Sequence, residues 1–358
     1  MVPGPRDPLP QARRGGTYRL GVVRIPAVTL GIGLLALSAL LLLAGAELFA
    51  EHAASAGARL GVSALAVGVL LAGAEPEELI TAVTAAARGR PGIAVGDAIG
   101  ANITMLTLAL GLAAVLRPLP LGGRVRAYGV GAALTGGVAA LTLADGRLSR
   151  TEGVILLAVY IVLVAVVWYR ERQPPVIGEL AEVLDHDAAA GDNPTADPGG
   201  DRGRVADAGR RRRGGGRGLA LALAGIAVMA AGGVFAVQGA ERVVAALDAT
   251  DTAVGLTLVA LATTAELLAL AWSAARRDVS ELAVAAVVGS AAYNATATLG
   301  AAALVQPSAH VDLRAAALVA AALPLVVLVL GGSAHQLRRP AGSVLLLGYV
   351  AFVALTLG

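Results

Sequence analysis

Apolar residues run along the chain in long blocks, each closed by a short break carrying arginine, aspartate or glutamate. A helix needs roughly 20 apolar residues to cross the hydrocarbon of a bilayer. On that measure the spacing predicts about ten transmembrane helices. They fall over 26–49, 60–87, 92–116, 127–144, 152–169, 218–245, 252–275, 281–305, 313–331 and 342–357. A membrane β-barrel would instead show short alternating segments, so the expected fold class is an all-α integral membrane protein. One stretch stands apart. Residues 170–217 are rich in Asp, Gly, Pro and Arg, include the run Arg210-Arg211-Arg212-Arg213, and have no apolar period. They are expected to form a disordered linker whose charges are solvated or lie near lipid headgroups.

The linker divides the chain into an N-terminal tail (1–25), a first five-helix unit (26–169) and a second five-helix unit (218–358). The two units are related in sequence. Glu77, Leu79, Ala82, Ala85, Ala86, Arg88, Ala94, Val95, Gly100 and Gly111 recur as Glu266, Leu268, Ala271, Ala274, Ala275, Arg277, Ala283, Val284, Gly289 and Gly300, always at an offset of 189. Five crossings per unit place the second copy upside down relative to the first. The expectation is therefore two inverted repeats, an architecture of transporters whose substrate lies between the halves.

Composition agrees with a lipid solvent: 57% of the 358 residues are hydrophobic and 15% charged, and the mean hydropathy is +0.75. The 46 glycines suit membrane helices, where small residues let backbones approach closely. With no cysteine, disulfides, thiolate metal sites and cysteine catalysis are excluded. The four histidines, His52, His186, His310 and His335, fall near helix ends or in the linker, away from any expected buried site. All 28 basic residues are arginine, and a net charge of +3 calls for no nucleic acid. The arginine distribution favours both termini outside the cell, although the five arginines of the tail dissent. No zinc-binding helix, nucleophile elbow or phosphate loop occurs at membrane depth, so the chain is not expected to be an enzyme.

Carboxylates inside the apolar runs carry the chemistry. On insertion scales each costs about 2.5–3.5 kcal/mol at the centre of a helix. The second run contains Gly73-Ala74-Glu75-Pro76-Glu77-Glu78 and the seventh Thr263-Thr264-Ala265-Glu266. Gly73 and Pro76 would free backbone carbonyls beside the acids. Glu77, Glu78 and Glu266, with Thr263 and Thr264, offer the oxygen ligands that a hard cation takes, while Glu75 could equally lie at a helix end in water. The following helices carry Gly96-Asp97-Ala98-Ile99-Gly100-Ala101-Asn102 and Gly289-Ser290-Ala291-Ala292-Tyr293-Asn294. Asp97, Asn102 and Asn294 could complete a coordination shell, or the glycines could serve helix packing alone.

The segment Gly255-Leu256-Thr257-Leu258-Val259-Ala260-Leu261-Ala262-Thr263-Thr264-Ala265-Glu266 resembles the G-L-T-I-V-A-L-G-T-S-x-P-E-L pattern of the calcium/cation antiporter superfamily, to which the sodium/calcium exchangers belong. Arg88-Gly89-Arg90-Pro91 through Asn102-Ile103 is similar to that family's K-G-x-P-D-I-A-V-G-N-x-x-G-S-N-I. The resemblance implies a ten-helix fold and a glutamate from each repeat that binds calcium alternately with sodium or protons. It assigns the second glutamate to Glu266, the Thr-Ser pair to Thr263 and Thr264, and the turn asparagine to Asn102. Counting back from Asn102 selects Glu78 as the first glutamate, whereas the internal repeat selects Glu77. There are departures: Ala74-Glu75 replace a Thr-Ser pair, the proline is missing in the second repeat, and an asparagine becomes Asp97 and then Ala286. Hydroxyls and amides are thinned while carboxylates are added, which turns the expectation away from sodium and toward proton coupling or a changed ion.

The expected function is secondary-active cation antiport at a multi-pass site in the plasma membrane, with calcium exchanged for sodium or protons by alternating access. The alternative is a non-transporting scaffold or cation sensor that keeps the fold. No cofactor is expected, and the partners are membrane lipids and inorganic cations, with no obligate protein partner.

Overall fold

The computed structural model describes residues 19–59, 75–171, 202–268, 281–309 and 313–357. Helices dominate them. In chain order they are α1 (Arg19–Arg59), α2 (Pro76–Ala87), α3 (Pro91–Leu116), α4 (Gly123–Thr142), α5 (Arg150–Glu171), α6 (Arg202–Leu247) and α7 (Asp251–Thr263). The segments Glu281–Tyr293, Asn294–Thr298 and Leu299–Val305 follow one another and form α8. Then come α9 (Arg314–Gly331) and α10 (Arg339–Leu357).

Six of these helices hold a segment long and apolar enough to cross a membrane: Ile25–Phe49, Pro91–Leu116, Arg150–Val167, Arg217–Leu247, Arg314–Gly331 and Arg339–Leu357. They coincide with six of the expected spans. The others are shorter, less apolar or incompletely described. For the second expected span only α2 lies within the described residues, as 60–74 fall outside them; the same holds for 269–280 after α7. The linker expected over 170–217 is helical at both margins, because α5 runs to Glu171 and α6 begins at Arg202. A membrane span already supplies the costly helical nucleus, and arginine and alanine are good helix formers, so the helix propagates outward into the charged segment.

The two halves interleave. α1 lies along α6, α3 packs on α7 and α10, α4 on α8 and α9, and α5 on α8. Two short antiparallel pairs tie the connections: β1 (Leu119–Pro120) to β4 (Gln336–Leu337), and β2 (Arg147–Leu148) to β3 (Ser308–Ala309). These pairs are reciprocal. Leu119 faces Leu337 and Leu148 faces Ser308, and both Leu119 with Ser308 and Leu148 with Leu337 stand 189 apart. The same exchange governs helix contacts. A side chain at Gly111 would strike the Gly342 carbonyl at 3.1 Å, and one at Gly300 would strike the Gly153 carbonyl at 2.9 Å. Gly111 with Gly300, and Gly153 with Gly342, again stand 189 apart.

Apolar side chains such as Leu134, Ile161, Val329 and Leu347 point outward from α4, α5, α9 and α10, as lipid-facing positions do. By contrast α3 and α8 are enclosed, and their buried faces carry polar residues. Each of α3, α7 and α8 contains a π turn, at Met105–Ala109, Gly255–Val259 and Asn294–Thr298. Such turns insert a residue into the helical ladder and recur at functional sites. Two of them, in α3 and α8, also stand 189 apart.

Candidate functional site

Glu75, with a φ of −94° and a ψ of 87°, lies outside the helix that follows it, and Pro76 opens α2. Proline suits the first helical position because its missing N–H would have had no partner there and its φ is preset. Glu75 thus sits at a helix end, one of the two places open to it. It is nonetheless 1% exposed. Its backbone carbonyl accepts from the amides of Glu78 and Leu79. Glu77 and Glu78, in the first turn of α2, are also buried, where the amide-rich end of the helix favours negative charge.

Asp97 comes from the second turn of α3 and is fully enclosed. The Thr263 hydroxyl, from the last turn of α7, donates to Asp97 Oδ1 at 3.1 Å and so joins the two halves. This contact depends on glycine. At Gly96 a Cβ would meet the Thr252 carbonyl at 2.8 Å, and at Gly255 it would meet the Ile93 carbonyl at 2.7 Å. The backbones of α3 and α7 therefore touch, and their side chains reach each other above and below the contact.

From α8, the Asn294 Nδ2 donates to Glu75 Oε2 at 3.2 Å, and the Thr298 hydroxyl donates to Asn294 Oδ1 at 3.1 Å. Since Asn294 Oδ1 is engaged by Thr298, the amide must turn its NH2 toward the glutamate. Glu78 is a near neighbour of Glu75, Asp97 and Asn294. A cluster of carboxylates thus forms around the start of α2, from Glu75, Glu78 and Asp97. Four of its oxygens, Glu75 Oε1, both of Glu78 and Asp97 Oδ2, have no hydrogen-bond partner among the described residues.

The remaining expected residues are placed differently. Glu266, 8% exposed, is buried two positions beyond Thr264, where α7 gives way to a turn. The Thr264 hydroxyl, just past the end of α7, turns back to the Ala260 carbonyl of that helix at 2.6 Å. Asn102 lies one and a half turns along α3 from Asp97, and its Nδ2 donates to the Ala291 carbonyl of α8 at 2.9 Å. Asn102 and Ala291 are themselves 189 apart, so this bond crosses where the two related helices meet. Among the described residues no three His, Asp or Glu side chains converge closely enough to hold one metal ion.

Glu75 is the residue whose part was open in the sequence. Two signals bear on it: proline after it fixes the helix start, and its counterpart at the offset of 189 is the buried Thr264. Thr298 had no such signal, because only the three-dimensional position of Asn294 gives its hydroxyl a role.

A model of the family described as sodium/calcium exchanger protein matches residues 30–169 and 217–358, which covers most of both halves. The chain belongs to the sodium/calcium exchanger family. Among curated relatives, the putative antiporter CaxA of Alkalimonas amylolytica is 26% identical over 284 residues, spanning 77% of this chain and 82% of that protein. The inner membrane protein YrbG of Escherichia coli is 30% identical over 233 residues, which make up 64% of this chain and 65% of its own. Among solved structures, the sodium-calcium exchanger NCX_Mj superposes with a TM-score of 0.55 at 24% identity, covering 91% of this chain and 99% of that one. At that identity the likeness is one of fold.

Proposed function

We propose that the chain is a secondary-active antiporter of the plasma membrane that exchanges calcium for sodium or protons by alternating access. In this reading it has ten spans arranged as two inverted five-helix repeats. The arrangement is supported by the reciprocal contacts: strand pairs, glycine contacts and π turns all recur with the halves exchanged. The names of its relatives, an antiporter and a sodium-calcium exchanger, point the same way.

The observation that carries the cation reading is the set of buried carboxylate oxygens without partners at Glu75, Glu78 and Asp97. An ionised carboxylate stripped of water costs several kcal/mol unless a charge or donors replace the lost hydration. A divalent cation does so, and its preferred ligands are oxygens of this kind. Glu78 and Asp97 supply charge directly. Asn294 holds Glu75 and Thr263 holds Asp97. Glu77, Glu266, Thr264 and Asn102, on or beside the same helices, are further oxygen donors. The acids stand near one another without converging on a single point, which fits a transporter between bound states: the ligands close around the ion when it enters and separate when it leaves.

Calcium-45 uptake into proteoliposomes tests the proposal, under an imposed sodium gradient and separately under a pH gradient. Uptake driven by one gradient, and abolished in Glu78→Gln and Asp97→Asn, is the expected result and identifies the coupling ion. Calcium binding with no uptake under either gradient would replace antiport with the sensor reading. No calcium binding at all would remove calcium.

A further inference from the structure

Among the helix pairs that touch backbone to backbone, two meet at the corner between α6 and α7. In one, Gly31 and Gly45 of α1 face Gly239 and Gly225 of α6; a side chain at Gly239 would meet the Gly31 carbonyl at 2.7 Å, and one at Gly225 the Gly45 carbonyl at 2.7 Å. In the other, α3 and α7 touch through Gly96 and Gly255. Contacts this close leave little freedom within either pair, so each moves as one body.

The joint between the bodies is short. α6 ends at Leu247 and α7 begins at Asp251, and Asp248 between them has a φ of 57°, a left-handed conformation that few residues other than glycine adopt. The Ala249 amide donates to the Val244 carbonyl, and the Thr250 side chain caps α7 by accepting from the Ala253 amide. Both helix ends are thereby fixed, and the change of direction falls on the intervening residues.

Arg90 spans this corner from the opposite half of the chain. It stands at the start of α3, after Gly89 at a φ of 73°, and its carbonyl accepts from the Ile93 and Ala94 amides, so its backbone is anchored to the α3/α7 body. Its Nε donates to Glu241 Oε1 on α6 at 3.1 Å, and its Nη1 approaches both Asp251 carboxylate oxygens at 3.5 Å. One guanidinium therefore holds an acid on each side of the joint. The planar fork of arginine suits such a double contact. All three side chains are partly exposed, Arg90 by 40%, Glu241 by 32% and Asp251 by 27%, so each contact can be exchanged for water at modest cost.

We propose that Arg90 is a clasp across the α6–α7 corner, which holds the α1/α6 body against the α3/α7 body in one of two arrangements and opens once in each transport cycle. The Asp251 contact lies within the α3/α7 body and persists. The Glu241 contact crosses between bodies and breaks. The role in a cycle rests on the antiport reading above, whereas the two arrangements do not.

The absence of cysteine makes both parts testable by introduced thiols. First, spin labels on Leu116→Cys of α3 and Leu247→Cys of α6, both exposed positions, report the distance between the bodies by electron paramagnetic resonance. Two distances are expected, with their ratio moved about threefold to fivefold by Arg90→Gln, the size expected for a partly exposed ion pair. A distribution unchanged by Arg90→Gln overturns the clasp, and loss of thermal stability alone does not rescue it. Second, a short thiosulfonate cross-linker joining Arg90→Cys to Glu241→Cys is expected to stop calcium-45 exchange, with recovery on reduction. The same linker joining Arg90→Cys to Asp251→Cys should leave exchange running. Exchange that continues through the 90–241 link overturns the proposal. If the unmodified protein exchanges nothing, the antiport reading falls and the spin-label distances alone decide the clasp.

Discussion

Replacing Gly100 by alanine adds one methyl group where α3 crosses α7. That carbon would collide with the Leu256 carbonyl oxygen, and would lie 2.7 Å from both the Leu256 carbonyl carbon and its Cα. None of these is the end of a flexible side chain. Relief requires the helices to separate by several tenths of an ångström over a seam that also holds Gly96, Gly255 and the bond from Thr263 to Asp97. Overpacking of this kind costs about 1–3 kcal/mol, and backbone on both sides argues for the upper half of that range. Alanine's better helix propensity returns at most about 1 kcal/mol. Spread over the unfolding entropy of a 358-residue chain, the net loss of roughly 1–2 kcal/mol lowers the thermal midpoint by about 1–3 °C, measurable by scanning fluorimetry of the protein in detergent. Gly137→Ala, also within a helix but with nothing within 4 Å of the added carbon, is the matched control and should hold or raise the midpoint. If Gly100→Ala is as stable as Gly137→Ala, the backbones of α3 and α7 do not touch as described.

Removing the Thr263 hydroxyl in Thr263→Val takes away the donor to a buried carboxylate and should cost about 1.5–3 kcal/mol in an unfolding assay, whereas Thr263→Ser keeps most of the stability; equal loss in both would deny the bond to Asp97. At Asn102, leucine loses the bond to the Ala291 carbonyl, worth about 0.6–1.7 kcal/mol between membrane helices. Asn102→Asp should be worse, since it sets an acceptor against that carbonyl, and the opposite ranking of midpoints would refute the assigned amide orientation.

The repeat was legible because an ungapped offset of 189 runs through the helices nearest the centre, and the reciprocal strand and glycine contacts carry the same number. The outer pair was harder to see. Gly31 and Gly45 on α1 are matched by Gly225 and Gly239 on α6 at an offset of 194, and Gly45-Ala46-Glu47 reappears as Gly239-Ala240-Glu241. A difference of five residues between the first and second helices of each half hides that likeness from an ungapped comparison. The burial of Glu77, Glu78 and Glu266 followed from the apolar runs that hold them, as did the helix start at Pro76 from its ring. The π turns did not follow, because a one-residue insertion leaves no mark on hydropathy, yet the one that opens at Asn294 lies where its amide reaches Glu75. The helical margins of the linker were hidden for a related reason: composition marks Arg202–Arg217 as polar, and polarity alone does not distinguish an extended helix from coil.

Equilibrium binding of calcium-45 to the purified protein tests the central claim most directly, because it asks about the buried carboxylates without requiring flux. Saturable binding that weakens at least about tenfold in Glu78→Gln, the loss expected when one charged ligand of a desolvated ion is removed, is the predicted result. Absence of binding, or binding of the same strength in Glu78→Gln and Asp97→Asn, would contradict a cation site at this cluster.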